Sequence, residues 1–157
     1  MSQHLNDEAK YKILCNAKTI VIVGLSPNEY KPSYEVAQYL IENGYNIIPI
    51  YPRGGEILGC KVYTSLPQAL QSLAHDNQKC DIINIFRKSE ALPVVLDEVC
   101  ALKHNNAYDT IFSSSLCVWV QLGLTSQEAR QKAQECNILY EEDSCIKLEH
   151  QRLFALK

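Results

Sequence analysis

The 157 residues hold no cluster of lysine and arginine, and the formal net charge is −3. Chains that bind nucleic acid or an anionic membrane carry a basic patch or stripe, so neither partner is expected. No apolar run reaches the roughly 20 residues a membrane-spanning helix needs. The first ten residues, MSQHLNDEAK, lack the apolar centre and cleavage-like site of a secretory signal, and a cytoplasmic location is expected. Seven cysteines are present (Cys15, Cys60, Cys80, Cys100, Cys117, Cys136 and Cys145), but none forms a C-x-x-C pair or stands at zinc-ligand spacing with a histidine. No metal is therefore expected, and the thiols read as small, reduced core residues in a reducing compartment. Solenoid-length repeats and low-complexity segments are also missing.

With 46% hydrophobic and 21% charged residues, the composition is globular, and the length suits one domain spanning 1–157. The chain is organised around Thr19 to Ser33, TIVIVGLSPNEYKPS. Here a buried-strand pattern runs into Gly24, a turn holds Ser26 and Pro27, and a helical pattern begins after Pro32. Strand, small-residue turn and helix in that order commonly hold nucleotide phosphates.

Elsewhere, Asp7 to about Ala17 predicts a helix with Tyr11, Leu14 and Cys15 near one face, packed on the sheet edge. Val36, Ala37, Leu40 and Ile41 mark the helix after the turn, with Gly44 beyond its end. Asn46 to Tyr51 reads as a second strand made irregular by Pro49, and Pro52 to Tyr63 as a loop ending in a short strand. Ser65 and Gln68 predict a capping box. Cys80 to Phe86 is a third strand, followed by a helix carrying Val95, Val99 and Leu102. Within Thr110 to Gln121 a strand is placed at Cys117 to Gln121. Thr125 and Glu128 form a second capping-box pattern, Asn137 to Tyr140 a last short strand, and Asp143 to Leu156 a closing helix. Strands alternating with helices call for a mainly parallel sheet of about five strands with helices on both faces: a Rossmann-like three-layer α/β/α sandwich.

In such sheets ligands sit beyond the carboxyl ends of the strands. The residues there are Gly24, Ser26 and Lys31; Tyr51 to Gly55; Arg87 and Lys88; and Gln121 to Gly123. None is a carboxylate, and several are basic, which fits a multiply charged anion. An NAD site usually has an acidic residue at the end of the second strand to bond the ribose hydroxyls. Tyr51-Pro52-Arg53 stands there instead, which favours a phosphorylated ribose, as in NADP or coenzyme A (CoA). The turn also lacks G-x-G-x-x-G, since Leu25, Ser26 and Asn28 intervene and no second or third glycine follows.

These residues carry a family resemblance. VGLSPNEYKPS, NGYNIIPIYPRGGEILGCKVY, DIINIFRKSE, WVQLG and DSCIKLEHQRL together span about Thr19 to Leu153. Through them the chain resembles the small stand-alone CoA-binding domain proteins, related to the nucleotide-binding domain of succinyl-CoA synthetase α subunits and of ADP-forming acyl-CoA synthetases. The resemblance implies a site for CoA or an acyl-CoA. Gly24 and Ser26 would lie at the pyrophosphate turn, with Lys31 and Arg53 near phosphates, Pro52 and Phe86 on the adenine side and Arg87 at the rim. Ser33, Tyr51, Gln121 and Gly123 complete the expected ligand-binding set. Lys103 to Leu116 looks longer than the family pattern.

Plainer readings stand beside these. Ser26 suits a cap, Arg53 and Arg87 singly suit a solvated surface, and Gly54 and Gly55 suit a turn. Phe86 and Trp119 read as core, His150 as structural, His104 as solvated, and Cys60 as an unactivated thiol. With no acid, base and nucleophile set in view, binding without catalysis is the first expectation. A small NADP-dependent enzyme, an acyl-CoA ligase component and a CoA-responsive regulatory module with a protein partner or a second copy remain alternatives.

Overall fold

The computed structural model describes residues 4–155. Met1 to Gln3, from the segment read against a secretory signal, and Leu156, the expected end of the last helix, lie outside the described residues. In chain order the elements are α1 (Asp7–Asn16), β1 (Thr19–Val23), α2 (Pro32–Glu42), β2 (Asn46–Ile50), β3 (Gly55–Ile57), β4 (Cys60–Val62), α3 (Leu66–His75), β5 (Cys80–Ile85), α4 (Leu92–Lys103), β6 (Phe112–Val120), α5 (Gln127–Glu135), β7 (Leu139–Glu141) and α6 (Ile146–Ala155). Five strands form a parallel sheet in the order β2-β1-β5-β6-β7. This is the Rossmann-like sandwich that the alternating pattern predicts.

Alternation along the strands separates two buried faces. Val21, Val23, Ile83, Ile85, Val118 and Val120 pack under α3, α4 and α5. Ile20, Ile22, Ile82, Cys117 and Trp119 pack under α1, α2 and α6. Helix α1 thus lies over a sheet face beside α6 rather than at an edge. Its inward residues are Lys10, Ile13 and Leu14, while Cys15 is exposed. Pro49 is accommodated because β2 is an edge strand. Its carbonyl accepts from Tyr63 N on the outer side at 2.9 Å, so its missing N–H also faces outward and costs no ladder bond.

Other expectations are corrected. The glycine-rich stretch after β2 is a β-hairpin, β3 with β4, because Leu58 and Gly59 both adopt positive φ and form a tight turn. Ser65 does cap α3, but Gln68 Oε1 reaches back to Thr64 rather than to the Ser65 amide. Helix α5 is capped by Ser126, which accepts from Ala129 N at 3.1 Å, one residue beyond the Thr125 pattern. Strand β6 starts at Phe112. Cys80 pairs with Phe112 and Ile82 with Cys117, so the surplus length before the WVQLG motif is absorbed as an irregularity in this strand. Strand β7 begins at Leu139, after Asn137 takes a positive φ of 57°.

The reading of all seven cysteines as reduced thiols is also corrected. Cys100 on α4 and Cys136 at the end of α5 form a disulfide, with Cα atoms 6.0 Å apart. The spacing of the two along the chain carries no sign of this; the contact arises from the packing of α4 against α5.

The last helix is tied to the first through charge. Glu149 accepts from Lys10 Nζ at 2.7 Å and from Arg152 Nε at 2.9 Å, and Arg152 also reaches Asp7. The Arg152 hydrogen bonds, followed by Lys10, outweigh partial burial and hold the Glu149 carboxyl at about 2 against an ordinary 4.5. Its stabilisation is therefore present above pH 4.5 and lost as pH falls through 2. Discounted for the exposure of Arg152, its worth is about 2 kcal/mol. Glu149→Gln is expected to lower the urea midpoint at pH 7 and to leave it nearly unchanged at pH 2; equal losses at both pH values would refute the linkage.

Candidate functional site

The strand order reverses beside β1. The chain goes from β1 outward to β2, then crosses back to β5 on the other side. A crevice opens at the carboxyl ends of β1 and β5, where a ligand can reach between the diverging connections. Gly24 closes β1 there with φ +87°, and a Cβ built on it would lie 2.5 Å from the Phe86 carbonyl oxygen. Only glycine lets the two strand ends approach so closely, which keeps the floor of the crevice bare backbone.

Two clefts meet at this point and share Gly24, Phe86 and Arg87. One, of about 500 Å³, lies on the α2 side and adds Ser26, Lys31, Pro32, Ser33, Lys88, Gln121, Leu122 and Leu124. The other, of about 550 Å³, lies on the β2 side and adds Val23, Ile50, Tyr51, Pro52, Arg53 and Thr64. Their walls contain no His, Cys, Asp or Glu.

The turn after Gly24 is shaped by its own side chains. Ser26 Oγ accepts from Asn28 N at 3.1 Å, and Asn28 Oδ1 accepts from Tyr30 N at 2.9 Å. Buried Ser33 accepts from Ser26 N at 3.0 Å, which pins the turn to the start of α2. Pro32 opens that helix, and Lys31 at its N-cap makes no side-chain capping bond. The amino end of α2 is thus left without a side-chain cap and faces the cleft, with the positive end of the helix dipole towards it.

Charge around the clefts is one-sided. Lys10, Arg130, Lys132, Lys147 and Arg152 each have a carboxylate partner. Among the described residues no ion pair involves Lys31, Arg53, Arg87 or Lys88. These four cations stand around Gly24 on an otherwise acidic chain. Together with the bare Gly24 backbone and the exposed start of α2, they suit a phosphorylated ligand.

The family model described as "CoA binding domain" matches residues 18–151, most of the chain. The chain belongs to the CoA-binding domain family. CoA carries phosphates on a nucleotide, and the donors described here fit such groups. Among relatives of this CoA-binding domain, the uncharacterized protein YneT of Bacillus subtilis (strain 168) is 34% identical over 139 residues, covering 88% of this chain and 90% of YneT. A solved protein from Thermus thermophilus superposes with a TM-score of 0.79 at 32% identity, covering 96% of this chain and all of that one. A hypothetical protein from Pyrococcus horikoshii OT3 gives 0.77 at 27% identity, covering 98% of each chain.

In this CoA-binding domain ten of the eleven expected site residues line one cleft or both: Gly24, Ser26, Lys31, Ser33, Tyr51, Pro52, Arg53, Phe86, Arg87 and Gln121. Gly123 does not; its amide donates to Asp143 Oδ1 at 2.7 Å, outside both walls. Lys88, Leu122 and Leu124 were not among the eleven, and neither was Thr64, which the hairpin brings beside β2 by pairing Tyr63 with Ile50. Lys88 and Leu122 do stand among the strand-end residues picked out from the sequence, though not in the ligand-binding set; Leu124 and Thr64 lie beyond that group. Trp119 is fully buried core, and half-buried Phe86 is shared between core and cleft.

The other residues considered for chemistry lie outside both walls. Buried His150 stacks on Phe154 and meets the Tyr39 hydroxyl at 2.6 Å, and burial pushes its pKa down. It borders a separate crevice at the opposite end of the sheet, near Lys18 and Gly44. Exposed His104 donates to the Cys100 carbonyl. Burial, then Glu56, pushes the Cys60 thiol up, which is opposite to activation.

No described helix is long and apolar enough to cross a membrane, and no described cluster of His, Cys, Asp or Glu suits a metal ion.

Proposed function

We propose that the protein binds CoA or an acyl-CoA across the two joined clefts and performs no chemistry on it. The four cations around Gly24, none in an ion pair among the described residues, carry this reading. The diphosphate lies over the Gly24 turn, against the start of α2, with Lys31 and Arg87 neutralising it; the turn is the phosphate-binding loop. The adenosine side occupies the β2-side cleft against Ile50, Pro52 and Phe86, and Arg53 meets the 3′-phosphate. The arm of the ligand leaves through the α2-side cleft. Walls free of His, Cys, Asp and Glu support binding over catalysis, since general acid–base and nucleophilic steps draw chiefly on those groups.

Titration calorimetry with CoA and with its 3′-dephospho form tests the assignment. CoA is expected to bind ~10-fold more tightly, and Arg53→Ala to remove that difference by deleting one charge-assisted contact. Equal affinity of the wild-type protein for both ligands would remove Arg53 from the role. Turnover of an acyl-CoA or of NADPH by the purified protein would overturn the non-catalytic part.

A further inference from the structure

The crevice at the opposite end of the sheet from Gly24 has a volume of about 290 Å³ and lies where α1, α2 and α6 meet. A cavity of ~150 Å³ already holds benzene, so this one has room for one or two rings and is too small for CoA. Leu14, Tyr45 and Phe154 give it an apolar, largely aromatic wall. Set into that wall is His150, only 5% exposed, its ring stacked on Phe154 and edge-on to Tyr45.

The two ring nitrogens of His150 differ. Nδ1 meets the Tyr39 hydroxyl at 2.6 Å. That hydroxyl has no other acceptor for its proton among the described residues, and an imidazole nitrogen accepts better than a phenol oxygen, so the hydroxyl donates. Burial lowers the pKa of His150 and keeps the ring neutral at pH 7, which puts its single N–H on Nε2. Nε2 has no acceptor among the described residues, yet it is not sealed inside the protein; it opens on the crevice that His150 lines. Charge at the mouth nearly cancels. Helices α1 and α2 both end here, and neither has a basic residue in its last turn to offset the negative end of its dipole, about half a charge each. Lys18, which makes no ion pair among the described residues, supplies one positive charge.

We propose that this crevice is a second binding site, for a neutral one- or two-ring aromatic molecule that offers a hydrogen-bond acceptor to His150 Nε2. A carboxylate would gain Lys18 but face both helix ends, and an ammonium would leave the Nε2 proton without an acceptor. The crevice shares no residue with the two clefts around Gly24, so the site stands whether or not they hold CoA.

Benzamide is the probe, with benzoate and benzylamine as charged controls. Proton–nitrogen NMR spectra of the free protein are expected to show His150 protonated on Nε2. Benzamide should shift those signals saturably at about millimolar concentration, the range for a ligand of so few atoms. It should also slow alkylation of Cys15, an exposed thiol in the crevice wall, as read by mass spectrometry of the wild-type protein. Both controls should bind ~10-fold more weakly, and His150→Phe, which keeps a ring in the wall but removes the N–H, should weaken benzamide by a similar factor. Saturating CoA should change none of this. A ring protonated on Nδ1, equal binding of all three probes, or Cys15 alkylated at one rate with and without benzamide would overturn the site.

Discussion

Gly24→Ala is expected to destabilise the protein by about 3 kcal/mol, combining a left-handed backbone position with a steric collision, and to abolish detectable CoA binding. An alanine at φ +87° is strained by itself, and its Cβ would stand 2.5 Å from the Phe86 carbonyl oxygen. Relief requires β1 and β5 to separate at the switch point. Backbone is being displaced, not the free end of a side chain, so the strain has no inexpensive outlet. The two bonds that lock this corner, Gly24 N to Ile50 O at 3.0 Å and Phe86 N to Val23 O at 2.8 Å, would be disturbed together. Chemical denaturation and calorimetry on the same sample separate the two effects. Wild-type stability combined with wild-type affinity would show that the strand ends do not need this approach.

Breaking the Cys100–Cys136 disulfide is expected to cost roughly 3 to 4 kcal/mol, since closing a loop of this length removes that much entropy from the unfolded chain. The sequence separation is 36 residues. For a chain of this size the loss corresponds to a fall in melting temperature of about 10 °C. Reductant and the Cys100→Ser/Cys136→Ser double variant should give the same fall. CoA affinity at 25 °C should hold, because α4 begins beside the cleft after Lys88 and Cys100 lies more than two turns along it, outside the cleft wall. A melting curve indifferent to reductant, or a thiol titration finding all seven cysteines free, would contradict the pairing.

The element order and the clustering at strand ends were legible because both follow from periodicity. Val21 and Ile22 point to opposite faces whatever the tertiary structure, and a parallel sheet forces Gly24, Tyr51, Arg87 and Gln121 to the same edge. What could not be read depended on partners distant in sequence. Strand β6 starts five residues early because Phe112 finds Cys80, and its polar Ser113 to Ser115 hid it. Thr125 and Ser126 are equally good caps by composition; the position was decided by Glu142, whose carboxylate accepts from Ser126 N at 3.0 Å. Gly123 sits where a ligand amide was expected, but Asp143, twenty residues on, takes its N–H. The disulfide belongs to the same class, as does Thr64, carried to the β2-side cleft by a hairpin whose residues read as a loop.

Glu141, fully buried at the end of β7, collects the Leu5 amide at 2.8 Å and Lys10 Nζ at 3.3 Å. Leu5 and Glu141 stand 136 residues apart in the chain. Helix α1 itself is held by nearer elements, since Ile13 and Leu14 pack with β1 and α2 and the Tyr45 hydroxyl donates to the Leu14 carbonyl, so only the Leu5 amide and Lys10 wait for β7 to complete their bonds. The corner of β1, β2 and β5 around Gly24, by contrast, draws its strand pairings from residues 19–86 alone. The Gly24 corner and the Glu141 cluster are thus tied together by different stretches of the chain, one close in sequence and one spanning nearly all of it.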